Sequence, residues 1–273
     1  MLKIGWFSTG NGKGSLGFID FLLNQITKKS LNASLEFVFC NREFGEADGS
    51  DEYINYVTEN NINLITLSSD NFQKKNKYKK FSDCRELYDK EVLKLISEYE
   101  VDIIVLAGYM LILSEDLCTR FKFINLHPAL PDGPKGTWEQ VITQLIKNDQ
   151  DYSGLNVHIV TKNLDAGKSI GYCKFPIKSN LEGFFSTIHN NAWKQFYKLD
   201  RLKSLDLGFI AYEHLDLFTI VRNQILLREK YLLVIAINYL ISNKKVLEQL
   251  FNQKFSEDFK SLDFSLQIEK LLR

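Results

Sequence analysis

Hydrophobic positions in this chain follow two periods. Lys3-Ile4-Gly5-Trp6-Phe7, Leu35–Cys40 and Asn63–Leu67 are short apolar runs of strand length, bounded by Gly, Ser or Asn. Between and after them, Leu16, Phe18, Ile19, Leu22, Leu23 and Ile26 recur at helical spacing. Leu87, Val92, Leu95 and Ile96 do the same within Cys84–Tyr99. Val101–Ala107 is apolar almost throughout, as in a strand covered on both faces. Phe121–Ile124 and Leu155–Thr161 supply two further strands. Strands alternating with helices predict an α/β architecture: a Rossmann-like, mostly parallel sheet flanked by helices. Beyond Pro176 the pattern changes. From Leu181 to Arg273 there is no proline, glycine occurs only at Gly183 and Gly208, and Leu, Ile and Phe recur at helical spacing. The most apolar helix is expected near Arg222–Ile241, and Gln253–Arg273 reads as a surface amphipathic helix.

Composition narrows the function classes. In 273 residues, 45% are hydrophobic and 25% charged, which predicts a globular protein with a sizeable core. Lys+Arg 34 balances Asp+Glu 34, which argues against a general nucleic-acid or membrane-surface binder. No apolar run reaches bilayer length: Tyr231–Ile237 soon meets Asn238, Asn243, Lys244 and Lys245. The first residues lead into a strand without a signal-peptide layout. Cys40, Cys84, Cys118 and Cys173 are scattered, with no CxxC pair and no Cys/His cluster, so a reduced, cytoplasmic protein without a metal is expected.

Two stretches carry candidate chemistry. Gly12-Lys13-Gly14-Ser15-Leu16-Gly17 matches G-x-G-x-x-G between a strand and a helix. The second strand ends Cys40-Asn41-Arg42, without the acidic residue that would hold a ribose hydroxyl. Arg42 leaves an NADP reading open, a nest of backbone N–H groups for a phosphate monoester is simpler, and a tight turn without ligand is the bland alternative. The other stretch is Asn125-Leu126-His127-Pro128, at the exit of a strand into a loop stiffened by Pro128, Pro131 and Pro134. Alternation puts Asn125 and His127 on one face. There an amide can stabilise an oxyanion while an imidazole moves a proton; a capping Asn and a structural His are the alternative. Asp165 follows the strand that carries His158 and could orient the His127 ring or serve as an ordinary turn residue.

Taken together, Asn125-Leu126-His127-Pro128, then His158 and Leu164-Asp165-Ala166-Gly167, resemble the catalytic signature of the 10-formyltetrahydrofolate-dependent formyltransferases. The branch acting on glycinamide ribonucleotide is the most similar. Gly10-Asn11-Gly12, Asp83–Asp89 and Val105–Ser114 resemble further family segments in the same order, and the likeness spans about residues 2–178. It implies the formyltransferase fold and formyl transfer from 10-formyltetrahydrofolate to the amine of glycinamide ribonucleotide in purine biosynthesis. Another amine, such as an amino sugar nucleotide, or hydrolysis of the formyl folate are the alternatives. By resemblance, Asn125, His127 and Asp165 are catalytic. Gly10, Asn11, Gly12, Lys13 and Gly14 bind the substrate phosphate. Arg85, Met110, Leu111, Ile112, Leu113, Thr161 and Leu164 bind the folate. The partner is a small phosphorylated amine, with no nucleic acid, membrane or metal, and a homodimer remains open. The chain departs from the family in a longer glycine loop, in Leu111 where an arginine is usual, and in a shorter loop at 129–138. The expected organisation is a catalytic domain over 1–243, followed by a helical tail over 244–273. Within the domain the core spans 1–180, a helical insertion about 185–215, and the last core helix about 222–241. In that helix, Arg228 or Glu229 would approach the acceptor.

Overall fold

The computed structural model describes residues 1–177, 212–251 and 259–273. Eight strands form one sheet in the order β3-β2-β1-β4-β5-β6-β7-β8. β1 (Leu2–Ser8), β2 (Ala33–Cys40), β3 (Leu64–Thr66), β4 (Ile103–Leu106) and β5 (Phe123–His127) are parallel. β6 (Tyr152–Ile159) turns back antiparallel beside β5, β7 (Ser169–Pro176) is antiparallel to β6, and β8 (Leu262–Asp263) is parallel to β7. The mostly parallel, helix-flanked sheet expected from the alternation is therefore present.

Strand alternation sorts the apolar residues onto two faces. Trp6, Val38, Val105 and Ile124 pack with α1 (Lys13–Thr27), α2 (Asp48–Glu59), α6 (Trp138–Lys147) and α7 (Tyr212–Ser242). Phe7, Phe37, Phe39, Leu106 and Phe123 pack on the other side with Tyr88, Val92 and Ile96 of α4 (Arg85–Ile96) and Leu117 of α5 (Glu115–Arg120). The short helix α3 (Ser69–Lys75) follows β3.

α7 is longer than the expected 222–241 and is buried over much of its circumference, through Val221, Ile225, Leu232, Leu233, Ala236, Ile237 and Leu240. Sheet, α6 and tail all pack on it. The helical reading of 181–211, and with it most of the expected insertion, lies outside the described residues. The tail differs from a single surface helix. α8 (Lys244–Phe251) continues from α7, but Leu262–Asp263 adds a strand to β7 before α9 (Ser265–Leu272), whose Ile268 is fully buried. That strand covers an edge that β7 would otherwise expose. Gly171 permits it, because a Cβ there would lie 2.3 Å from the Phe264 ring.

The strand order reverses between β1 and β4, since the chain winds toward β2 and β3 on one side and toward β5 on the other. At such a switch point the loops leaving the carboxyl ends of neighbouring strands diverge and open a crevice. Here the loops after β1 and β4 and the end of β5 border it.

Candidate active site

A cavity of about 390 Å³ occupies that crevice. Its floor holds Asn125, His127, His158 and Asp165. Asn125 is cross-strand neighbour to His158, so both project from the same face. The Asn125 amide Nδ2 lies 3.3 Å from His158 Nε2 and 3.5 Å from Asp165 Oδ1, both at the long end of hydrogen bonding. Asp165 Oδ2 lies 3.5 Å from His127 Nδ1, and Oδ1 lies 3.6 Å from His158 Nε2. The structure thus brings together all three residues singled out as catalytic.

Local sequence explains how they are held. The proline-rich loop after β5 curls back, so that His127 Nε2 donates to the Pro134 carbonyl at 2.8 Å. Two residues on, the Gly136 N–H donates to Asp165 Oδ2 at 3.2 Å. Gly136 has φ +112°, a conformation that favours glycine. Asp165 itself has φ 48°, which Asp tolerates better than most residues. The Asp165 turn closes where Gly167 lies against the Ile159 carbonyl. A Cβ at Gly167 would sit 1.7 Å from that oxygen.

Hydrogen bonding assigns the tautomers. A carbonyl only accepts, so neutral His127 carries its proton on Nε2 and turns a bare Nδ1 toward the Asp165 carboxylate. His158 Nδ1 lies 2.8 Å from the Ile159 carbonyl, so its Nε2 is the free acceptor facing Asn125. Burial pushes the His127 pKa down; the Pro134 carbonyl and Asp165 push it up without cancelling that shift, and His158 and Lys135 lower it further. For Asp165, burial acts upward. The neighbouring His158 and His127 rings and the Gly136 N–H outweigh it and hold the carboxyl below its ordinary value. The cluster holds a neutral imidazole whose added proton would enter a position already facing a carboxylate.

The remaining site residues divide. Met110, Leu111, Ile112 and Leu113, in the loop after β4, line the cavity with Thr161 and Leu164. Thr9 ties this loop to β1: its N–H donates to the Gly108 carbonyl at 3.1 Å and its Oγ1 accepts from Met110 N at 3.0 Å. At the loop's other end, Ser114 N donates to buried Asp89 at 2.5 Å. Arg85 does not line the cavity. α4 places it near Asp89, on which its charge acts. Helix spacing explains the placement: Arg85 and Asp89 are four residues apart and share a side.

The glycine loop is also corrected in form. α1 begins at Lys13, so Gly14 and Gly17 are helical and the loop is confined to Thr9–Gly12. Its N–H groups are not an open nest. Gly10 N donates to Ser8 Oγ, Asn11 N to Ser15 Oγ, and Gly12 N to the Gly10 carbonyl. Asn11 and Gly14 line the cavity, whereas Gly10 packs against Tyr53 and Gly12 against Gly49. Only the backbone of Lys13 is described.

α6 and α7 add Trp138, Arg222 and Glu229 to the cavity lining. Of the two residues expected from the last core helix, Glu229 reaches the cavity. Arg228 turns away to Glu269 of α9, with 2.6 Å between Nη2 and Oε1. Sequence reasoning missed Arg222 and Trp138. The available signal was that Arg222 and Glu229, seven residues apart, share a helix face.

Comparison with known proteins agrees with this geometry. Residues 11–183 match the formyl transferase family. The phosphoribosylglycinamide formyltransferase of Dictyostelium discoideum is 30% identical over 208 residues, 72% of this chain and 95% of that protein. That of Escherichia coli (strain K12) is 37% identical over 97 residues, 35% of this chain and 45% of the relative, so that match spans under half its length. Among solved structures, glycinamide ribonucleotide transformylase 1 from Symbiobacterium toebii superposes with a TM-score of 0.60 at 20% identity, over 87% of this chain and 86% of that one. Phosphoribosylglycinamide formyltransferase from Campylobacter jejuni subsp. jejuni NCTC 11168 gives 0.60 at 22%, over 88% and 97%. These likenesses show a shared fold, and the family match, over more than half the chain, identifies it: this chain belongs to the formyl transferase family.

Proposed function

We propose that the chain transfers a formyl group from 10-formyltetrahydrofolate to the primary amine of glycinamide ribonucleotide, as the names of its relatives suggest. The observation that carries this reading is the convergence of Asn125, His127 and Asp165 at the switch-point cavity, between an apolar wall and a polar one. The apolar wall at Met110–Leu113 and Leu164 suits a flat pterin; the wall of Asn11, Trp138, Arg222 and Glu229 suits a polar acceptor.

The net reaction fixes what the residues must do. The formyl carbon exchanges one nitrogen for another, the acceptor nitrogen loses one proton and the folate N10 gains one. One proton must therefore be moved while the formyl oxygen carries negative charge. The Asn125 amide is the neutral donor within the cluster and stabilises that oxygen; loss of one such donor typically costs about 2.7–4 kcal/mol. His127 takes the proton at Nδ1, where Asp165 stabilises the imidazolium that results. Pro134 and Asp165 hold the ring from opposite sides, so it acts without rotating.

The test is absorbance-monitored turnover with both substrates, beside reactions lacking the acceptor and reactions with His127→Ala. Acceptor-dependent turnover that disappears in the variant supports the assignment. Turnover without acceptor would make the chain a hydrolase, and folate binding without turnover would point to another amine.

A further inference from the structure

We propose that Arg222, laid against Trp138, recognises the phosphate of the amine acceptor. This rests on the formyl-transfer reading above and adds to it a binding residue outside the Asn125, His127 and Asp165 cluster.

The first support is an accounting of donors. In the glycine loop the N–H groups of Gly10, Asn11 and Gly12 are spent within the loop, and those of Ser15 and Leu16 donate to the Gly12 carbonyl. The first turn of α1 keeps the N–H groups of Lys13 and Gly14, which is little with which to hold a dianion. Among the described side chains lining the cavity, Arg222 is the only permanent cation.

The second support is the state of that cation. Its guanidinium carbon lies 4.3 Å from the Trp138 ring centroid, over the indole face. A guanidinium held this way directs its N–H groups sideways, in the fork that matches two phosphate oxygens. The side chain is 15% exposed, and Nε is buried without a hydrogen-bond partner. Its nearest carboxylate partner, Glu229, is 3.9 Å from Nη1, too far for a hydrogen bond. Arg222 is therefore pre-positioned against Trp138 with its own Nε unpartnered.

Glu229 does not cancel this role. Burial raises its pKa, against the opposing charges of Arg222 and Lys230. Burial thus weakens the carboxyl's hold on a negative charge, while the Arg222 charge beside it opposes that shift. The apolar lining of Met110, Ile112 and Leu164 offers no cation, so the chemistry of the lining assigns the phosphate to Arg222 rather than to these residues.

The experiment uses the full chain and the variants Arg222→Met and Arg222→Lys. Steady-state kinetics are measured against glycinamide ribonucleotide and against 10-formyltetrahydrofolate, with inorganic phosphate as competitor. Arg222→Met should raise the acceptor KM by about 30-fold or more, the lower end of what is expected when one partner of a buried charged contact is lost. It should leave kcat and the folate KM unchanged and abolish inhibition by phosphate. Arg222→Lys should fall between, because it keeps the charge but loses the fork and the stacking. An unchanged acceptor KM with phosphate inhibition retained would overturn the proposal. A rise confined to the folate KM would also overturn it, because the guanidinium would then serve the folate carboxylates. Should the wild type fail to formylate glycinamide ribonucleotide, calorimetry with inorganic phosphate separates the two ideas. Binding that is lost in Arg222→Met upholds Arg222 and sends the search to another phosphorylated amine; absence of binding to the wild type overturns both. If Arg222→Met does not fold, the same comparisons rest on Arg222→Lys.

Discussion

Asp165→Asn probes the proposed chemistry with little change of shape. The carboxylate lies 3.5 Å from His127 Nδ1 and 3.6 Å from His158 Nε2, and it accepts from Gly136 N at 3.2 Å. An asparagine Oδ1 can keep the Gly136 bond, so the turn should persist and the loss should be electrostatic. At 3.5 Å and an effective dielectric of about 20, an imidazolium and a carboxylate attract by about 5 kcal/mol. That is an upper bound, because the amide dipole replaces part of the lost charge. Half of it, about 2.5 kcal/mol, corresponds to about 70-fold in rate, and all of it to a few thousand-fold. The expected fall in kcat is therefore about 10²- to 10³-fold, within the range of general acid–base catalysis. The pH profile should move with it. Asp165 raises the His127 pKa, which burial has already lowered, so removing the charge lowers it further. The limb of the kcat/KM profile that reports His127 should shift to lower pH. Turnover across pH, with NMR titration of the His127 ring, measures both effects. A variant that turns over within about threefold of wild type, with an unshifted imidazole, would refute the role given to Asp165.

Three further outcomes follow from the surroundings of the site. Burial raises the Asp89 pKa from 3.8 to about 6, partly offset by Ser114 and Arg85. The folded state then holds a proton that the unfolded chain has released, so stability falls as pH rises from about 4 to about 6, by up to about 3 kcal/mol. Asp89→Asn should remove that slope in urea denaturation measured from pH 4 to 7, and an unaltered slope would contradict the assignment. Thr9→Val leaves the part-buried Met110 N without its acceptor, at a cost of about 0.5–1.5 kcal/mol. Its thermal midpoint should drop and its folate KM rise, with the acceptor KM little affected. Gly167→Ala drives a Cβ into the Ile159 carbonyl. It should shift the Asp165 turn and cost about 100-fold or more in kcat, since an error of about 1 Å in a catalytic group has that effect; full activity would mean that the turn relaxes without moving Asp165.

Much of the molecule is legible along the chain because its determinants are local. The period-2 and period-3.6 patterns mark β1, α1, β2, α4 and β4. Asn125 and His127 share a face because they are two residues apart on one strand. The start of α1 showed where the periodicity failed to warn: Lys13 and Gly14 look like loop residues, yet they form the first turn of the helix. Arg85 resembles a ligand contact by its place in a motif, and only the fold shows that its charge also acts on Asp89, one helical turn on.

By itself, then, the sequence determined the alternation of strands and helices, the two-faced sheet and the strand exit that carries an amide beside an imidazole. Each follows from neighbours a few residues apart, whose directions the backbone period dictates. Only the tertiary structure decided what meets that exit. The antiparallel return of β6 sets His158 opposite Asn125, the turn closed by Gly167 brings Asp165 to His127, and α7 delivers Arg222 to Trp138. It also decided that the glycine loop spends its own donors. These contacts join residues far apart in the chain, and no local period encodes them. They exist because strand order and helix packing bury two apolar faces at once, and the polar groups left at the crevice take the partners that arrangement provides.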